Sequence, residues 1–289
     1  MKKKNKLKQP LTKKMSSSKA VKQVLKENKP LFAAFGTGFV LILVIGSTFA
    51  WSSFSSWVKN HMQSEVGTLE VKIIEDYEQD SVFDLGKEIT KKVDVRNMSK
   101  YPAIVRVQFI ESAANFKIDD KTGMLEKKTT QGGSDLAIKD KAETWKVGAV
   151  YPDQFKKGNF YVINQSEINY QTKYKEDATR PKLLKPFEIT YSPTIKEQPT
   201  PPPAQVPYWV YENGFFYYSQ VLEGNKQSEV SVMESVKMLK ENLVNPSKNM
   251  LYKIDVNAYG IRANEGSLEK WTTNQALIDM YKADPKFEE

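Results

Sequence analysis

Between Pro30 and Val58 the chain carries no charged side chain, a run of 29 residues that follows a segment holding 11 lysines. Within it Leu31 to Trp51 is made mostly of Leu, Phe, Val, Ile, Ala and Gly. As a helix this stretch would be about 31 Å long, enough to cross a bilayer core. The lysines before it set the topology, with the amino terminus in the cytoplasm and the remainder outside. Two readings stand. In one, residues 1–50 are a signal peptide, with Thr48 and Ala50 at the −3 and −1 positions of a cut before Trp51. In the other, the segment is an uncleaved type II anchor.

The net charge of +8 belongs to this leader. Residues 1–50 hold one acidic side chain, Glu27, and the rest of the chain balances 32 basic against 34 acidic residues. The main electrostatic argument for a nucleic-acid partner therefore disappears. There is no cysteine, which excludes disulfides and thiolate chemistry. The single histidine, His61, excludes a zinc site with two or three His ligands in one chain and leaves the body no Ser-His-Asp arrangement. No catalytic residue, metal site or cofactor is expected.

The segment Gly46-Ser47-Thr48-Phe49-Ala50-Trp51, a Ser-rich patch, and then Val66-Gly67-Thr68-Leu69-Glu70-Val71 resemble the amino-terminal signature of the TasA/camelysin family of exported Gram-positive proteins. The resemblance implies an alternate leader cut by a SipW-type signal peptidase, an arm, and a first strand opened by Gly-Thr-Leu. Asp, common just after the aromatic in that family, is here replaced by Ser52, Ser53 and Ser55. The arm would run over residues 51–67, with Trp51, Phe54, Trp57 and Val58 as its apolar content. Their spacing of three, three and one is nearer helical than strand-like.

Beyond the arm the body reads as β. Thr68 to Tyr77 alternates Leu69, Val71 and Ile73 with Glu70 and Lys72; Lys87 to Asn97 and Ala103 to Glu111 repeat the pattern. The link Asn97 to Pro102 is a turn, and "VDVRNMSKYPAIVRVQF" is similar to the family's second and third strands. Arg106 is expected to be an outward charge or to cap a sheet edge, not to be catalytic. Residues 112–200 look like an insertion between strands, with short strands at Glu143–Tyr151, Phe160–Asn164 and Pro186–Ser192. Asp119 and Asp120 lie in a turn, since two adjacent carboxylates followed by Lys121 do not make a calcium loop. Lys173–Lys185 reads as solvated loop. Five prolines between Pro199 and Pro207 exclude a central strand and suggest a stiff crossing between sheets or a linker.

Tyr208 to Tyr218 places two aromatic strands around Asn213-Gly214, a strong hairpin signal. Alternate rings would fill the core and the others would cover a sheet face; the competing reading is a carbohydrate-stacking surface of Trp209, Tyr211, Phe216 and Tyr218. This hairpin, a strand at Val221–Asn225, Glu234–Met238 and Tyr252–Asn264 are similar to the BsaG-related branch of the same family. Ser267 to Tyr281 has helical spacing.

The expectation is an all-β chain: a jelly-roll or immunoglobulin-like β-sandwich over 68–289, preceded by a signal or transmembrane helix and ending in a minor helix. The resemblance implies an exported, non-catalytic cell-surface or extracellular-matrix (biofilm) protein that self-assembles after cleavage or joins other matrix proteins. Its alternatives are a membrane-anchored binding module and a camelysin-like metalloprotease, the latter disfavoured by the lone histidine.

Overall fold

The computed structural model describes the backbone of residues 53–62 and residues 69–77, 86–128, 135–153, 157–175, 178–200, 206–239 and 250–288. The elements in order are β1 (Ser53–Met62), β2 (Val71–Tyr77), β3 (Glu88–Asn97), β4 (Ala103–Phe116), β5 (Lys127–Lys128), a 3₁₀ turn (Ala142–Thr144), β6 (Val150–Pro152), β7 (Phe160–Gln171) and β8 (Phe187–Tyr191). They continue with β9 (Ile195–Lys196), β10 (Trp209–Glu212), β11 (Phe215–Tyr218), β12 (Met233–Met238), β13 (Met250–Arg262), α1 (Glu265–Leu268) and α2 (Gln275–Lys282). The chain is mostly β, in two sheets, with minor carboxy-terminal helices. Thr48 to Glu289 form one compact unit. Among the described residues no helix is long and apolar enough to cross a membrane, and the leader with Thr48, Ala50 and Trp51 lies outside them.

The small sheet has the order β2-β3-β12-β8. The large sheet runs β1-β13-β4-β11-β10-β9, with β7 joined to the far half of β4 and carrying β5 and β6. The two share one apolar core. Val71, Ile73, Val93, Val95, Val236 and Phe187 from the small sheet meet Val105, Val107, Phe109, Ile254, Val256 and Phe216 from the large one. Phe187 stacks on Tyr252 across the gap with ring centroids 3.8 Å apart. Alternation produces this face, because residues two apart on a strand point the same way. Gly260 belongs to it: a Cβ there would come within 2.5 Å of a Val71 methyl, so the strand bearing it packs closely on β2.

Alternation also carries a charge inward. Lys91 shares the buried face of β3 with Ile89 and Val93, and its ammonium meets Glu75 of β2 at 2.5 Å. Burial lowers the Lys91 pKa, and the Glu75 carboxylate opposes that shift.

The link after β3 is built around buried Asn97. Its side-chain amide donates to the Tyr101 and Leu222 carbonyls, and its oxygen accepts from the Ser99 amide and hydroxyl. Gly224 packs on this turn, where a Cβ would meet the Lys100 backbone at 2.8 Å. Val221–Asn225 is accordingly a turn with a single bridge from Leu222 to Ala103, not the expected strand.

Three further expectations are corrected. Residues 112–200 are not one insertion: β4 continues to Phe116, β7 pairs along it, and β8 is a member of the small sheet. Glu143–Tyr151 is a 3₁₀ turn followed by the short β6, with Trp145 buried beside Phe116, Tyr151 and Tyr161 in a separate apolar cluster. The chain changes sheets between β8 and β9, so the proline run instead connects β9 and β10, parallel neighbours in the same sheet.

The helical segment 267–281 is broken in two. Asn264 and Asn274 cap α1 and α2, accepting from the Ser267 and Ala276 amides. Leu268, Leu277, Met280 and Tyr281 then cover the outer face of the hairpin, against Tyr208, Val210 and Tyr217.

Candidate functional site: an amino-terminal edge and a tyrosine-lined basic cleft

Ten residues of the arm form β1, which pairs in parallel with β13 from Ser53↔Leu251 to Met62↔Gly260. Phe54, Trp57 and Val58 stand opposite Tyr252, Asp255 and Val256. The near-helical spacing of these apolar residues argued against a strand, and the backbone is a strand nonetheless. Edge pairing is made by main-chain groups, so side-chain period does not decide it. Trp51 lies outside the described residues.

The hairpin does not present its rings to solvent. Asn213 and Gly214 both have positive φ, 49° and 84°, as a two-residue turn of the right twist requires. Trp209 and Phe216 are 0% exposed and Tyr218 is 1% exposed, while Tyr211 is half-buried against Phe216 and Tyr174. Of the two readings the core one holds for these four residues, against the candidate stacking surface, because one hairpin face meets the small sheet and the other meets α1 and α2. Arg106 is held on the outer side in an aromatic cage. Its guanidinium lies 4.0 Å from the Phe215 centroid and 4.2 Å from that of Trp271, and it donates to the Tyr217 hydroxyl at 2.9 Å.

A polar site that sequence reasoning missed sits between β7 and β8. Glu111 shares the inward face of β4 with Phe109 and Ala113 and is fully buried. Tyr252 of β13 donates its hydroxyl to Glu111 Oε1 at 2.6 Å, Thr172 donates to Oε2 at 3.1 Å, and Arg180 reaches Oε1 at 2.7 Å. The Lys173–Lys185 stretch is thus not simply a solvated loop. It folds over the end of the core, burying Leu184 and directing Arg180 inward. Burial first, and the Glu111 charge second, push the Tyr252 and Tyr191 hydroxyls well above their usual pKa.

Above this cluster opens a cleft of about 230 Å³, lined among others by Tyr170, Lys173, Tyr174, Arg180, Lys185 and Tyr191. Its lining holds four cationic side chains, with Lys175 the fourth, and one carboxylate, Glu188. Tyr174 packs edge-on against Tyr191 at 5.6 Å, and Tyr191 stacks on Phe216 at 5.1 Å, so these rings are fixed by the core. Among the described residues, the buried Tyr191 hydroxyl and Arg180 Nε have no hydrogen-bond partner. The arrangement offers positive charge, hydroxyl donors and ring faces, while both Glu111 oxygens are already engaged. The sequence signal was the lysine-rich run between tyrosines; the Glu111–Arg180 contact spans 69 positions and leaves no local trace.

Among the described residues no group of three or more His, Cys, Asp or Glu side chains is placed to hold a metal ion. No family model, curated protein or solved structure matches the chain.

Proposed function

We propose that the chain is an exported, non-catalytic structural protein of a Gram-positive cell surface or extracellular matrix. In this reading the two-sheet body is a β-sandwich of the jelly-roll or immunoglobulin-like kind. A SipW-type peptidase frees the arm at Trp51, and copies then join through it. The observation that carries the reading is β1 itself, the outermost strand of the large sheet's β1-to-β9 path, added in parallel to β13 by main-chain pairing over ten residues. A strand held this way satisfies an open sheet edge, and the same edge accepts the equivalent strand of a second copy.

The test begins with the amino terminus of the native protein, read by mass spectrometry of medium, wall and membrane fractions. Mature protein is then followed by light scattering and electron microscopy. The variant Ser55→Pro with Ser56→Pro removes two successive amides, one of which faces β13 in any parallel ladder. Fibres from the native chain and none from the variant support the proposal. Mature protein that stays monomeric at high concentration over days overturns it. A leader found intact and only in membranes favours the second reading, a type II anchored binding module, for which the basic cleft is the supporting feature.

A further inference from the structure

The Lys91–Glu75 pair is closed by its own partners, and the Arg106 guanidinium, whose Nε is likewise unpartnered among the described residues, is enclosed between the Phe215 and Trp271 rings. The cleft between β7 and β8 is open, and two of its lining residues, Arg180 and Tyr191, carry buried donors without an acceptor among the described residues.

We propose that this cleft is a binding site for an oxyanion, phosphate or carboxylate, carried on a small polar unit such as a sugar residue. Three observations converge. Among the described residues the lining cations Lys173, Lys175, Arg180 and Lys185 outnumber the carboxylates beside them, which are Glu188 in the lining, Glu111 on Arg180 and Glu197 on Lys175. Glu111 offsets the Arg180 charge, but its carboxylate is fully buried beneath and both its oxygens are committed to Tyr252, Thr172 and Arg180, so it presents no free acceptor to the cleft. Arg180 Nε and the Tyr191 hydroxyl are two buried donors lacking acceptors among the described residues.

An unsatisfied buried donor costs free energy that folding alone does not return. An oxyanion entering the cleft supplies the missing acceptor to both groups. The lysine side chains at the rim are long enough to turn aside and then close on it. Arg180 suits this role, because a guanidinium fixed through one amino group by a carboxylate still presents its Nε edge. The rings of Tyr170 and Tyr174 form the less polar wall, matching the C–H face of a sugar better than a bare ion. The site is independent of β1, so it stands or falls separately from assembly.

The experiment uses the full chain in a mild non-ionic detergent. Thermal unfolding and isothermal titration are measured with inorganic phosphate, glycerol phosphate, glucuronate, glucose and sodium chloride at matched ionic strength. The expected result is a saturable rise in Tm with phosphate or glucuronate and none with glucose or chloride. A response to phosphates alone assigns a phosphate-bearing unit, and a response to glucuronate alone assigns a sugar acid. The variant Tyr191→Phe removes an unpartnered hydroxyl, so it keeps or raises the ligand-free Tm. It should weaken the oxyanion by about tenfold, the scale of one charge-assisted hydrogen bond. Lys185→Gln, at the rim, should weaken it and flatten its salt dependence. The proposal is overturned if no oxyanion gives a saturable shift, if chloride gives the same shift, or if both variants bind as the native chain does.

Discussion

Arg106 offers a quantitative test of how the carboxy-terminal segment is fastened to the large sheet. Its guanidinium stacks between Phe215 and Trp271 at 4.0 and 4.2 Å, with Tyr259 and Tyr217 farther out at 5.5 and 5.7 Å. Each close cation–ring contact is worth about 0.5–2 kcal/mol, and a hydrogen bond from a charged donor about 1.5–3 kcal/mol. Two terms reduce the total. Arg106 Nε is buried without a partner, so the folded state already bears a desolvation cost. The Tyr217 hydroxyl also reaches the Trp271 carbonyl at 3.4 Å and is not orphaned when the arginine goes. Arg106→Ala should therefore cost about 2–3 kcal/mol rather than the full sum. For a body of this size that is a fall in Tm of roughly 4–12 °C. Arg106→Lys should recover only part of it, since an ammonium cannot lie flat between two rings. The assay is thermal unfolding by near-ultraviolet circular dichroism, with a double-mutant cycle against Trp271→Leu. A coupling of about 0.5–2 kcal/mol between the two positions is expected. A loss below about 0.5 kcal/mol for Arg106→Ala, or full rescue by lysine, would refute the cage as a fastening.

Two other outcomes follow from buried polar groups. Burial raises the Tyr191, Tyr252 and Tyr281 hydroxyls well above the ordinary 10.0, and burial, opposed by the Glu229 amide, pushes Tyr218 up to about 12. Groups raised on folding stabilise fully below pH 10 and lose that contribution as pH climbs toward the folded values, at about 1.4 kcal/mol per pH unit for each tyrosine. Absorbance at 295 nm should thus show the Tyr191, Tyr218, Tyr252 and Tyr281 hydroxyls ionising only in step with loss of circular dichroism; complete tyrosine ionisation with the fold intact would contradict the burial argument. For the inward pair, Glu75→Ala alone should destabilise by about 3–5 kcal/mol by removing the carboxylate that the buried Lys91 ammonium contacts, whereas Lys91→Met with Glu75→Leu should stay within about 1 kcal/mol of the native chain. Equal losses from the single and double changes, measured by urea titration, would rule out loss of that countercharge as the cause.

What the sequence made legible was local. Period-two alternation located β2, β3 and the first part of β4, and Asn213-Gly214 fixed the hairpin with its register of Trp209↔Tyr218 and Tyr211↔Phe216. The Asn97 turn was visible as a turn, but not as the buried hub that also binds the Leu222 carbonyl. The helical period of 267–281 was real, yet it gave no warning that Asn274 would start a second helix. Alternation located the hairpin rings that fill the core, Trp209, Phe216 and Tyr218, but it says only that two faces differ, not that helices later in the chain cover the second one. The cleft was illegible for a related reason. Glu111, Thr172, Arg180, Tyr191 and Tyr252 come from five places in the chain and converge only when the sheets close.

The parallel sense of β1 and β13 has a mechanical meaning. A pull on the chain ahead of β1 acts at the end of the ladder where Ser53 faces Leu251, while resistance through the carboxy-terminal segment acts at the opposite end, beyond Arg262. The two strands are then loaded in shear, and the ten residue pairs share the force instead of opening one after another. An antiparallel edge strand tugged from the same terminus would unzip from one end. Were copies joined in a row as proposed, a tensile load along it would meet the sheet in its stiffer direction, and rupture would be governed by the rate of breaking the whole ladder at once.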